Sequence, residues 1–456
     1  MLNKLKEYFA GKKILVLGFG VEGQSTYRLL RKIFPDEVLH IADMNEGLLE
    51  LEPIRIDLPK LNLQLGPDYL KNIGNYDVVI KAPGISLKNI STADFSKFTS
   101  HTELFIRFFR DQIIGITGTK GKSTTSSLIY HIVKTHDENC LLVGNIGIPP
   151  FDLLENINKD TKIIFELSSH QLEQVRVSPH IAILLNLYEE HLDHYKTFEN
   201  YQKAKFNISL FQDSNDFFVF NADDPRIETL ISEASLKSKL MKFSLTHKPE
   251  KGCYVYDNKV YYQDAEVVEI LNKTEFSNLI GEHNLLNIMA AACASLISGI
   301  PAKAVASAVE SFRPLEHRIE FVGKYDDVLF YNDSISTIPE AAIAAVKALK
   351  NVDTLILGGF DRGISYDSLI DFLSKSPVSN LVFIGDAGKR MLGIYQSGGF
   401  TGKNTLLASD FEEAVVFAKR ITEKNKICLL SPAAASYDMF KNFAERGAKY
   451  KQLVRK

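Results

Sequence analysis

The sequence predicts an α/β protein with three domains, and three observations support this prediction. The chain has 456 residues, and at about 150 residues per domain this length corresponds to three domains. Short apolar runs recur along the whole chain. Most of them are followed by Gly, Pro or Ser and then by an amphipathic helical pattern. That alternation is typical of βαβ units and therefore of parallel sheets.

The apolar runs predict strands in every part of the chain. The predicted strands are Ile14–Leu17, Val38–Ala42, Val78–Ala82, Ile113–Thr117, Ile163–Leu167, Ile181–Asn186, Thr354–Leu357, Leu381–Ile384 and Ile427–Leu430. Residues 250–275 differ, because short alternating runs there predict a small antiparallel sheet in the middle domain. Polar or Pro-containing segments predict the boundaries, which give domains 1–93, 94–312 and 313–456.

Charge and composition exclude several classes of protein. The 53 basic and 56 acidic residues give a net charge of −3, so neither nucleic acid nor an anionic membrane is expected as a partner. The four cysteines form no CxxC motif, which favours a reducing cytoplasm over a metal or disulfide framework. We expect neither a signal peptide nor a membrane span. The sequence thus predicts a cytoplasmic multidomain enzyme.

A first glycine motif, GFGVEG at 18–23, follows a predicted strand and opens a helical pattern at 25–33. Such a turn lets a pyrophosphate approach the N-terminus of a helix. Asp43 lies 20 residues after Gly23, where a ribose-binding acid stands in NAD-binding folds. The motif therefore predicts a Rossmann-like domain that holds a nucleoside diphosphate. The alternative is a tight turn needed only for packing.

A second glycine motif, GTKGKST, follows the predicted strand at 113–117 and opens another helix. Backbone N–H groups of such a loop cradle phosphates, Lys122 reaches the β- and γ-phosphates, and Ser123 ligates Mg²⁺. The strict P-loop spacing requires Gly where this chain has Ile116, so the loop is a shortened variant. An ATP-dependent enzyme is now favoured over a dehydrogenase. The residues expected to bind ATP are Gly118, Thr119, Lys120, Gly121, Lys122, Ser123 and Thr124.

Two clusters follow the next predicted strands. Glu166 ends a strand in ELSSHQLE, where a buried carboxylate requires a partner such as Mg²⁺. NLYEEHLDH at 186–194 is dense in carboxylate and imidazole groups, which suit a hard cation or else form a solvated acidic loop. Lys205 falls on the same side of a helical pattern as Phe198 and Tyr201. It either has a function there or extends its ammonium group to solvent.

The later motifs are individually weaker. Asn284 in GEHN could contact a base or ribose, although helix capping is the simpler role. Two further motifs, HRIE at 317–320 and NDS at 332–334, are as consistent with turns as with a site. GGFDRG at 358–363 and SPAAASYDMFKNF at 431–443 follow predicted strands, at carboxyl edges where α/β folds bind ligands.

In this order, the motifs TGTKGKST, ELSSHQLE, NLYEEHLDHY, GEHNLLN, HRIE and NDS resemble those of the Mur ligases of peptidoglycan synthesis. GFGVEG, APG at 82–84, GNIG at 144–147 and SPAAASYDMFKNFAERG near the end are most similar to family members that add D-glutamate. The resemblance covers nearly the whole chain. It implies a Rossmann-like N-terminal domain, a central P-loop-type ATPase domain and a Rossmann-like C-terminal domain.

The resemblance also implies a reaction and its cofactors. ATP phosphorylates the carboxylate of the L-alanyl group of UDP-MurNAc-L-Ala, and the amine of D-glutamate attacks the acyl phosphate. A tetrahedral intermediate then collapses to an amide, ADP and phosphate. ATP and Mg²⁺ are the implied cofactors, with two metal sites and Mn²⁺ as an alternative, and the enzyme is expected to be a monomer.

Site residues follow from matching motif positions. The resemblance implies Lys122, Glu166, His191 and a carbamylated Lys205 as catalytic residues, with Ser123, Glu166, His191 and Lys205 at the metal. The implied nucleotide contacts outside the loop are Asn284, Arg318 and Asp333. The implied contacts to the UDP substrate are Gly20, Val21, Glu22, Asp43, Gly84, Asn145 and His191. For glutamate they are Thr337, Arg362, Ser436 and Phe443, with Ser436 expected at a helix N-terminus.

Three departures from the family pattern keep alternatives open. The chain has DSISTI at 333–338 where many members have DSKATN, and Arg362 stands where some members have lysine. Glu22 brings an acid beside a predicted pyrophosphate. The alternatives are a Mur-type ligase that adds L-glutamate or another amino acid, a nucleotide-gated regulatory protein without chemistry, and a dehydrogenase.

Overall fold

A computed structural model describes residues 2–85, 95–146, 148–272, 279, 281–313 and 316–456, apart from the side chain of Asp193. The predicted boundary at 93–94 and Gly147 of the GNIG motif lie outside the described residues. The chain divides into two compact units, one containing most residues up to Phe312 and the other containing Arg313–Lys456.

The first sheet of the N-terminal unit has five parallel strands in the order β3-β2-β1-β4-β5. Its strands are β1 (Ile14–Leu17), β2 (Leu39–Asp43), β3 (Leu61–Leu65), β4 (Val78–Lys81) and β5 (Phe98–Thr99). The helices of this segment are α1 (Leu2–Phe9), α2 (Val21–Ile33), α3 (Glu52–Asp57) and α4 (His101–Phe109). The sheet therefore extends past the predicted domain boundary at 93.

The GFGVEG turn brings α2 close to the end of β1. A Cβ atom on Gly23 would lie only 2.0 Å from the carbonyl oxygen of Gly18, so no larger residue fits without a shift of the turn. Gly18 itself has a φ of 90°, which favours glycine. The motif thus directs the N-terminus of α2 toward the carboxyl edge of the sheet, as the sequence predicts.

The second sheet of the same unit has nine strands in the order β14-β13-β12-β11-β10-β9-β6-β8-β7. Its strands are β6 (Ile113–Thr117), β7 (Cys140–Gly144), β8 (Lys162–Glu166), β9 (Ile181–Leu184), β10 (Phe217–Asn221), β11 (Lys239–Ser244), β12 (Gly252–Tyr256), β13 (Lys259–Gln263) and β14 (Val267–Asn272). Its helices are α5 (Lys122–His136), α6 (Ser169–Leu172), α7 (Leu192–Tyr195), α8 (Phe198–Leu210), α9 (Pro225–Glu233), α10 (Glu282–Ile297) and α11 (Ala302–Ser311).

The antiparallel strands predicted at 250–275 extend the parallel sheet. β12 pairs with β11 in parallel, whereas β13 and β14 complete the sheet in antiparallel orientation. At the centre of the sheet, every residue of β6 and β9 is buried, which agrees with their nearly continuous apolar sequences. The predicted parallel sheet with a small antiparallel region is confirmed.

The C-terminal unit contains a six-stranded sheet in the order β15-β16-β20-β17-β18-β19. Only β15 and β16 are antiparallel neighbours. The strands are β15 (Glu320–Tyr325), β16 (Val328–Asn332), β17 (Val352–Gly358), β18 (Asn380–Ile384), β19 (Asn404–Ala408) and β20 (Ile427–Leu430). The helices are α12 (Pro339–Leu349), α13 (Asp367–Lys375), α14 (Gly385–Ser397), α15 (Phe411–Ile421) and α16 (Phe443–Arg455). This alternation confirms the predicted α/β class for the last third of the chain.

All four cysteines are buried free thiols. Within the described parts of the chain, no helix combines the length and the apolar character that crossing a bilayer requires.

We expect the substitution Gly23→Ala to lower the free energy of unfolding by about 1–3 kcal/mol, because the new Cβ would overlap a backbone oxygen. Gly74→Ala is the matched control, since a Cβ at that position would meet no atom within 4 Å. Its effect should stay within about 0.5 kcal/mol. Urea unfolding followed by circular dichroism measures both changes. Equal stability of the two variants would contradict the steric argument.

Candidate active site

The phosphate-type loop connects β6 to α5. Gly121 is the N-cap residue of α5 and has a φ of 85°, which favours glycine. The Nζ atom of Lys122 donates hydrogen bonds to the carbonyl oxygens of Gly118 at 2.8 Å and Thr119 at 3.0 Å. The lysine therefore folds back over the loop that precedes it. The positive end of the α5 dipole and this ammonium group lie together, which is an arrangement suited to an anion.

Two asparagines support the loop, and the sequence had suggested no role for either. The side chain of Asn186 accepts a hydrogen bond from the N–H of Lys120 at 2.8 Å and donates to its carbonyl oxygen at 3.0 Å. A Cβ atom on Gly121 would lie 2.4 Å from Oδ1 of Asn287, so α10 packs directly on the loop. Asn287 also donates to Oδ1 of Asn284 at 3.2 Å. The predicted nucleotide contact Asn284 is thereby linked to the loop.

Glu166 ends β8 and is completely buried. Its Oε1 atom accepts a hydrogen bond from the side chain of Asn145 at 2.9 Å. Its Oε2 atom is buried and has no hydrogen-bond partner among the described residues. A buried carboxylate oxygen without a partner is costly, and a bound cation would satisfy it.

Lys205 points inward from α8 and is 1% exposed. Its Nζ atom donates to the carbonyl oxygen of Gly118 at 2.9 Å, the same oxygen that Lys122 uses, and it lies 4.9 Å from the centre of the Tyr201 ring. Burial, followed by the nearby charge of Lys122, lowers the pKa of Lys205 well below its usual value. The helical pattern had placed Lys205 on the side of Tyr201 and left open whether its ammonium group extends to solvent. The group is buried, and its environment favours a neutral amine.

The segment that follows β9 surrounds this amine. Tyr201 is buried and its hydroxyl group lies 3.0 Å from the hydroxyl of Thr119. His191 is exposed, has a φ of 57°, and its ring centre lies 5.0 Å from that of His170. Lys120 forms an ion pair with Glu190. The structure thus gathers Lys122, Glu166 and Lys205 around the loop and leaves His191 at the surface beside it.

The metal prediction fits this arrangement only in part. In the described part of the chain, no three His, Cys, Asp or Glu side chains are grouped closely enough to hold a metal ion. The unpartnered Oε2 atom of Glu166 nevertheless has the chemistry of a Mg²⁺ ligand. A carboxylate group on Lys205 would add a second oxygen donor beside the loop.

A cavity of about 410 Å³ lies at the carboxyl edge of the first sheet. Its lining includes the predicted UDP-substrate residues Gly20, Val21, Glu22, Asp43 and Gly84. Asp43 accepts hydrogen bonds from the backbone N–H groups of Phe19 at 2.6 Å and Asn45 at 2.8 Å. Its carboxylate therefore organises the walls of the cavity. Asn145 and His191 are not part of this lining.

Glu22 turns toward α6 within the same unit. Its Oε1 atom accepts a hydrogen bond from the side chain of Gln171 at 2.5 Å, and its Oε2 atom is buried without a partner in the described structure. Burial raises the pKa of Glu22 to about 7, although the Gln171 hydrogen bond and the charge of Lys81 lower it. Part of the negative charge expected beside a pyrophosphate is therefore removed by protonation near neutral pH.

In the C-terminal unit, two of the predicted glutamate-binding residues are hydrogen-bonded to each other. Arg362 donates to the carbonyl oxygen of Thr337 at 2.6 Å. The hydroxyl group of Ser334 donates to the carbonyl oxygen of Phe443 at 2.8 Å, and Ser436 is buried. The expected helix N-terminus at Ser436 is wrong. The carbonyl oxygen of Ser436 accepts the N–H groups of Met439 and Phe440 in a turn, and α16 begins at Phe443 with Asn442 as its cap.

Asp333 is buried in this unit and is held by its own neighbours. It accepts hydrogen bonds from the hydroxyl of Ser431 at 2.6 Å and from the N–H of Ile319 at 3.2 Å. Burial raises its pKa to about 6, while hydrogen bonds and the charge of Arg318 act in the opposite direction. The predicted nucleotide contacts Arg318 and Asp333 thus interact electrostatically within one unit.

Comparison with known proteins identifies the chain's relatives. The model of the Mur ligase middle domain matches residues 116–295. A UDP-N-acetylmuramoylalanine--D-glutamate ligase from Clostridium tetani is 32% identical over 99% of this chain and 98% of its own length. A ligase of the same name from Caldanaerobacter subterraneus subsp. tengcongensis is 35% identical over 97% of this chain and 98% of its own length. The chain belongs to the Mur ligase family.

Solved structures of Mur ligases share the fold. UDP-N-acetylmuramate-alanine ligase MurC from Thermotoga maritima matches 97% of this Mur ligase and 99% of its own chain, with a TM-score of 0.56 and 17% identity. MurF ligase from Thermotoga maritima, solved in complex with ADP, matches 83% of this chain and 89% of its own, also with a TM-score of 0.56 and 17% identity. Mur ligases are ATP-dependent, which agrees with the loop at 118–124.

The raised pKa of Glu22 predicts a pH-dependent stability difference between this Mur ligase and its Glu22→Gln variant. The pKa is about 7 in the folded protein against an ordinary value of 4.5, so the folded state binds the proton more tightly. The stability contributed by this group is therefore fully present below about pH 4.5 and is lost as the pH rises to about 7. E22Q keeps an acceptor for Gln171. Its free energy of unfolding should therefore rise relative to that of the wild type over that range, by at most about 3 kcal/mol.

Urea unfolding between about pH 5 and pH 8 measures this difference. Glu50→Gln, at an exposed glutamate of the same unit, is the control and should differ from the wild type by a constant amount. A difference between E22Q and the wild type that does not change with pH would show that Glu22 ionises normally.

Proposed function

We propose that this protein is an ATP-dependent ligase that joins D-glutamate to UDP-N-acetylmuramoyl-L-alanine in the cytoplasmic synthesis of peptidoglycan precursors. The observation that carries the proposal is the full-length similarity to ligases of that name, combined with an anion loop beside two lysines and a buried carboxylate. The names of these relatives supply the substrates, and the geometry supports the chemistry.

Phosphoryl transfer to the substrate carboxylate requires positive charge where negative charge develops. The ammonium group of Lys122 is already held against the loop, because it donates hydrogen bonds to the carbonyl oxygens of Gly118 and Thr119. The N-terminus of α5 adds oriented backbone N–H groups. We infer that these groups hold the β- and γ-phosphates of ATP while the acyl phosphate forms.

The residues that would hold Mg²⁺ are Ser123, Glu166, His191 and a carbamylated Lys205. Mg²⁺ bound there would supply positive charge to the phosphate oxygens, and the proposal includes two such ions with Mn²⁺ as an alternative. Glu166 contributes the oxygen that has no partner among the described residues. Asn145 fixes the other oxygen and so orients the carboxylate.

Carbamylation of Lys205 is consistent with its surroundings. A neutral amine is the form that attacks CO₂; the N–C bond forms, the nitrogen loses a proton, and the product is a carboxylate. Burial and Lys122 both favour the neutral amine. The resulting negative charge would then offset the charge of Lys122, which shares the Gly118 oxygen.

The substrates are assigned to sites within each unit. We propose that the cavity lined by Gly20, Val21, Glu22, Asp43 and Gly84 holds the UDP group, with Asn145 and His191 toward the muramoyl group. Thr337, Arg362, Ser436 and Phe443 would hold the amino acid, Arg362 through a charge-assisted bond to a carboxylate. We further propose three domains, with the first boundary after β5 rather than at residue 93 and the second at 312–313, and a monomeric state.

We expect ADP release with ATP, Mg²⁺ and UDP-MurNAc-L-Ala to occur when D-glutamate is added, and not with L-glutamate or meso-diaminopimelate. Lys122→Ala should lower turnover by about 100-fold or more, because it removes a cation from the phosphate site. Lys134→Ala, at the exposed end of the same helix, is the control and should retain activity. Turnover only with another amino acid would keep the mechanism and change the substrate, as the DSISTI segment allows.

We expect Lys205→Ala to lower turnover by about 100-fold or more, since the variant loses the carbamate carboxylate at the metal. Acetate added to the assay should restore part of the activity, because it supplies a carboxylate to the space left by the side chain. Lys203→Ala, two positions earlier on the same helix and exposed, is the control. An active K205A variant without acetate would contradict the role of a carbamate.

A further inference from the structure

Arg446 is 2% exposed and is the largest of the fully buried side chains among the described residues. Its guanidinium group donates hydrogen bonds through all three nitrogens. Nε donates to the hydroxyl of Ser334 at 3.0 Å, and Nη2 donates to the carbonyl oxygens of Ser334 at 2.9 Å and Ala434 at 3.0 Å. Nη1 donates to the carbonyl oxygens of Ala435 at 3.1 Å and Gly358 at 3.5 Å. The five N–H groups of an arginine are therefore all used.

These acceptors belong to three separate loops. Ser334 follows β16, Gly358 ends β17, and Ala434 and Ala435 follow β20. The three strands are neighbours in the six-stranded sheet, in the order β16-β20-β17. Since the strands are parallel, their carboxyl ends meet at one edge. Arg446, which projects from α16, fastens the three loops to one another at that edge.

The charge of Arg446 is held without a hydrogen-bonded carboxylate in the described structure. Burial lowers its pKa to about 10, partly offset by the charge of Asp438, so the side chain stays positive at neutral pH. A buried cation whose direct partners are carbonyl and hydroxyl groups is costly to stability. Fixing the loop geometry is a function that would justify this cost.

The three loops carry the residues assigned to the amino acid. Thr337 lies three positions after Ser334, Arg362 four positions after Gly358, and Ser436 directly after Ala435. The hydroxyl of Ser334 also donates to the carbonyl oxygen of Phe443. In a trans peptide the N–H points away from the C=O, so the bond to the carbonyl of Ala435 directs the N–H of Ser436 away from Arg446.

We propose that Arg446 is the positioning residue of the amino-acid site: it sets the relative positions of the three loops that bind the incoming amino acid, without touching that substrate. This inference rests on the proposed function. Lysine cannot replace arginine here, because its single ammonium group has three donors and no fork geometry to reach three loops.

The test compares Arg446→Lys and Ser334→Ala with the wild type in steady-state assays of ADP release. R446K should raise the KM for the amino acid at least about 10-fold while the KM for UDP-MurNAc-L-Ala stays within about two-fold. S334A, which removes one acceptor, should shift the same KM in the same direction by a smaller factor. Arg455→Lys, on the exposed side of the same helix, is the control and should change neither constant. Circular dichroism confirms that each variant is folded.

Two results would overturn the proposal. One is an amino-acid KM in folded R446K within two-fold of the wild type. The other is a loss of kcat with both KM values unchanged, which is the signature of a smaller folded fraction. The wild-type assay distinguishes a failure of the proposed role of Arg446 from a failure of the proposed function. If the wild type uses an amino acid other than D-glutamate, the proposed substrate is wrong, and the KM for the amino acid actually used still tests Arg446.

Discussion

The arrangement of the two lysines at the centre of the site depends on one hydrogen-bond acceptor, the carbonyl oxygen of Gly118. Two lysine side chains, from the start of α5 and from the middle of α8, donate to this one oxygen. Burial, followed by repulsion from the Lys122 ammonium group, lowers the pKa of Lys205. The geometry of one loop thus gives the two lysines different chemical properties. Lys122 is suited to bind phosphate, whereas Lys205 is suited to react as an amine.

Two deeply buried basic residues differ in how their charge is accommodated. Arg446 uses every N–H group in a hydrogen bond and remains a cation. Lys205 donates to the carbonyl oxygen of Gly118, and burial together with a cationic neighbour favours its neutral form. The difference follows from the number and direction of the donors that each side chain carries. Arg446 fixes the loops, whereas Lys205 is available for modification.

Local patterns in the sequence predicted much of the fold and of the site. β1, β6 and β20 have the predicted bounds, because buried parallel strands are continuous apolar runs. β19 was missed because it is the last strand of its sheet and is largely exposed, so it lacks that signal. Helical periodicity placed Lys205 on the same side as Tyr201, but it did not decide whether the ammonium group is buried or extends to solvent.

Contacts between distant parts of the chain were not accessible to the same reasoning. Asn186 supports Lys120 across 66 positions, and Arg446 reaches Ser334 across 112 positions. Both residues lie in motifs of the family, NLYEEHLDHY and SPAAASYDMFKNFAERG, but their residue types alone do not indicate these contacts. The turn at Ser436 was mistaken for a helix start because a carbonyl oxygen that accepts two nearby N–H groups leaves no signature in the residue types.

The Glu22 carboxyl group couples ligand binding in the N-terminal cavity to protonation. With a pKa of about 7, this group is partly protonated under physiological conditions and responds to whatever charge arrives beside it. A ligand that brings a pyrophosphate into the cavity would favour the protonated form and take up a fraction of a proton from the buffer as it binds. Occupancy of the cavity would thereby be coupled to the proton concentration of the surroundings, through a side chain that need not touch the ligand.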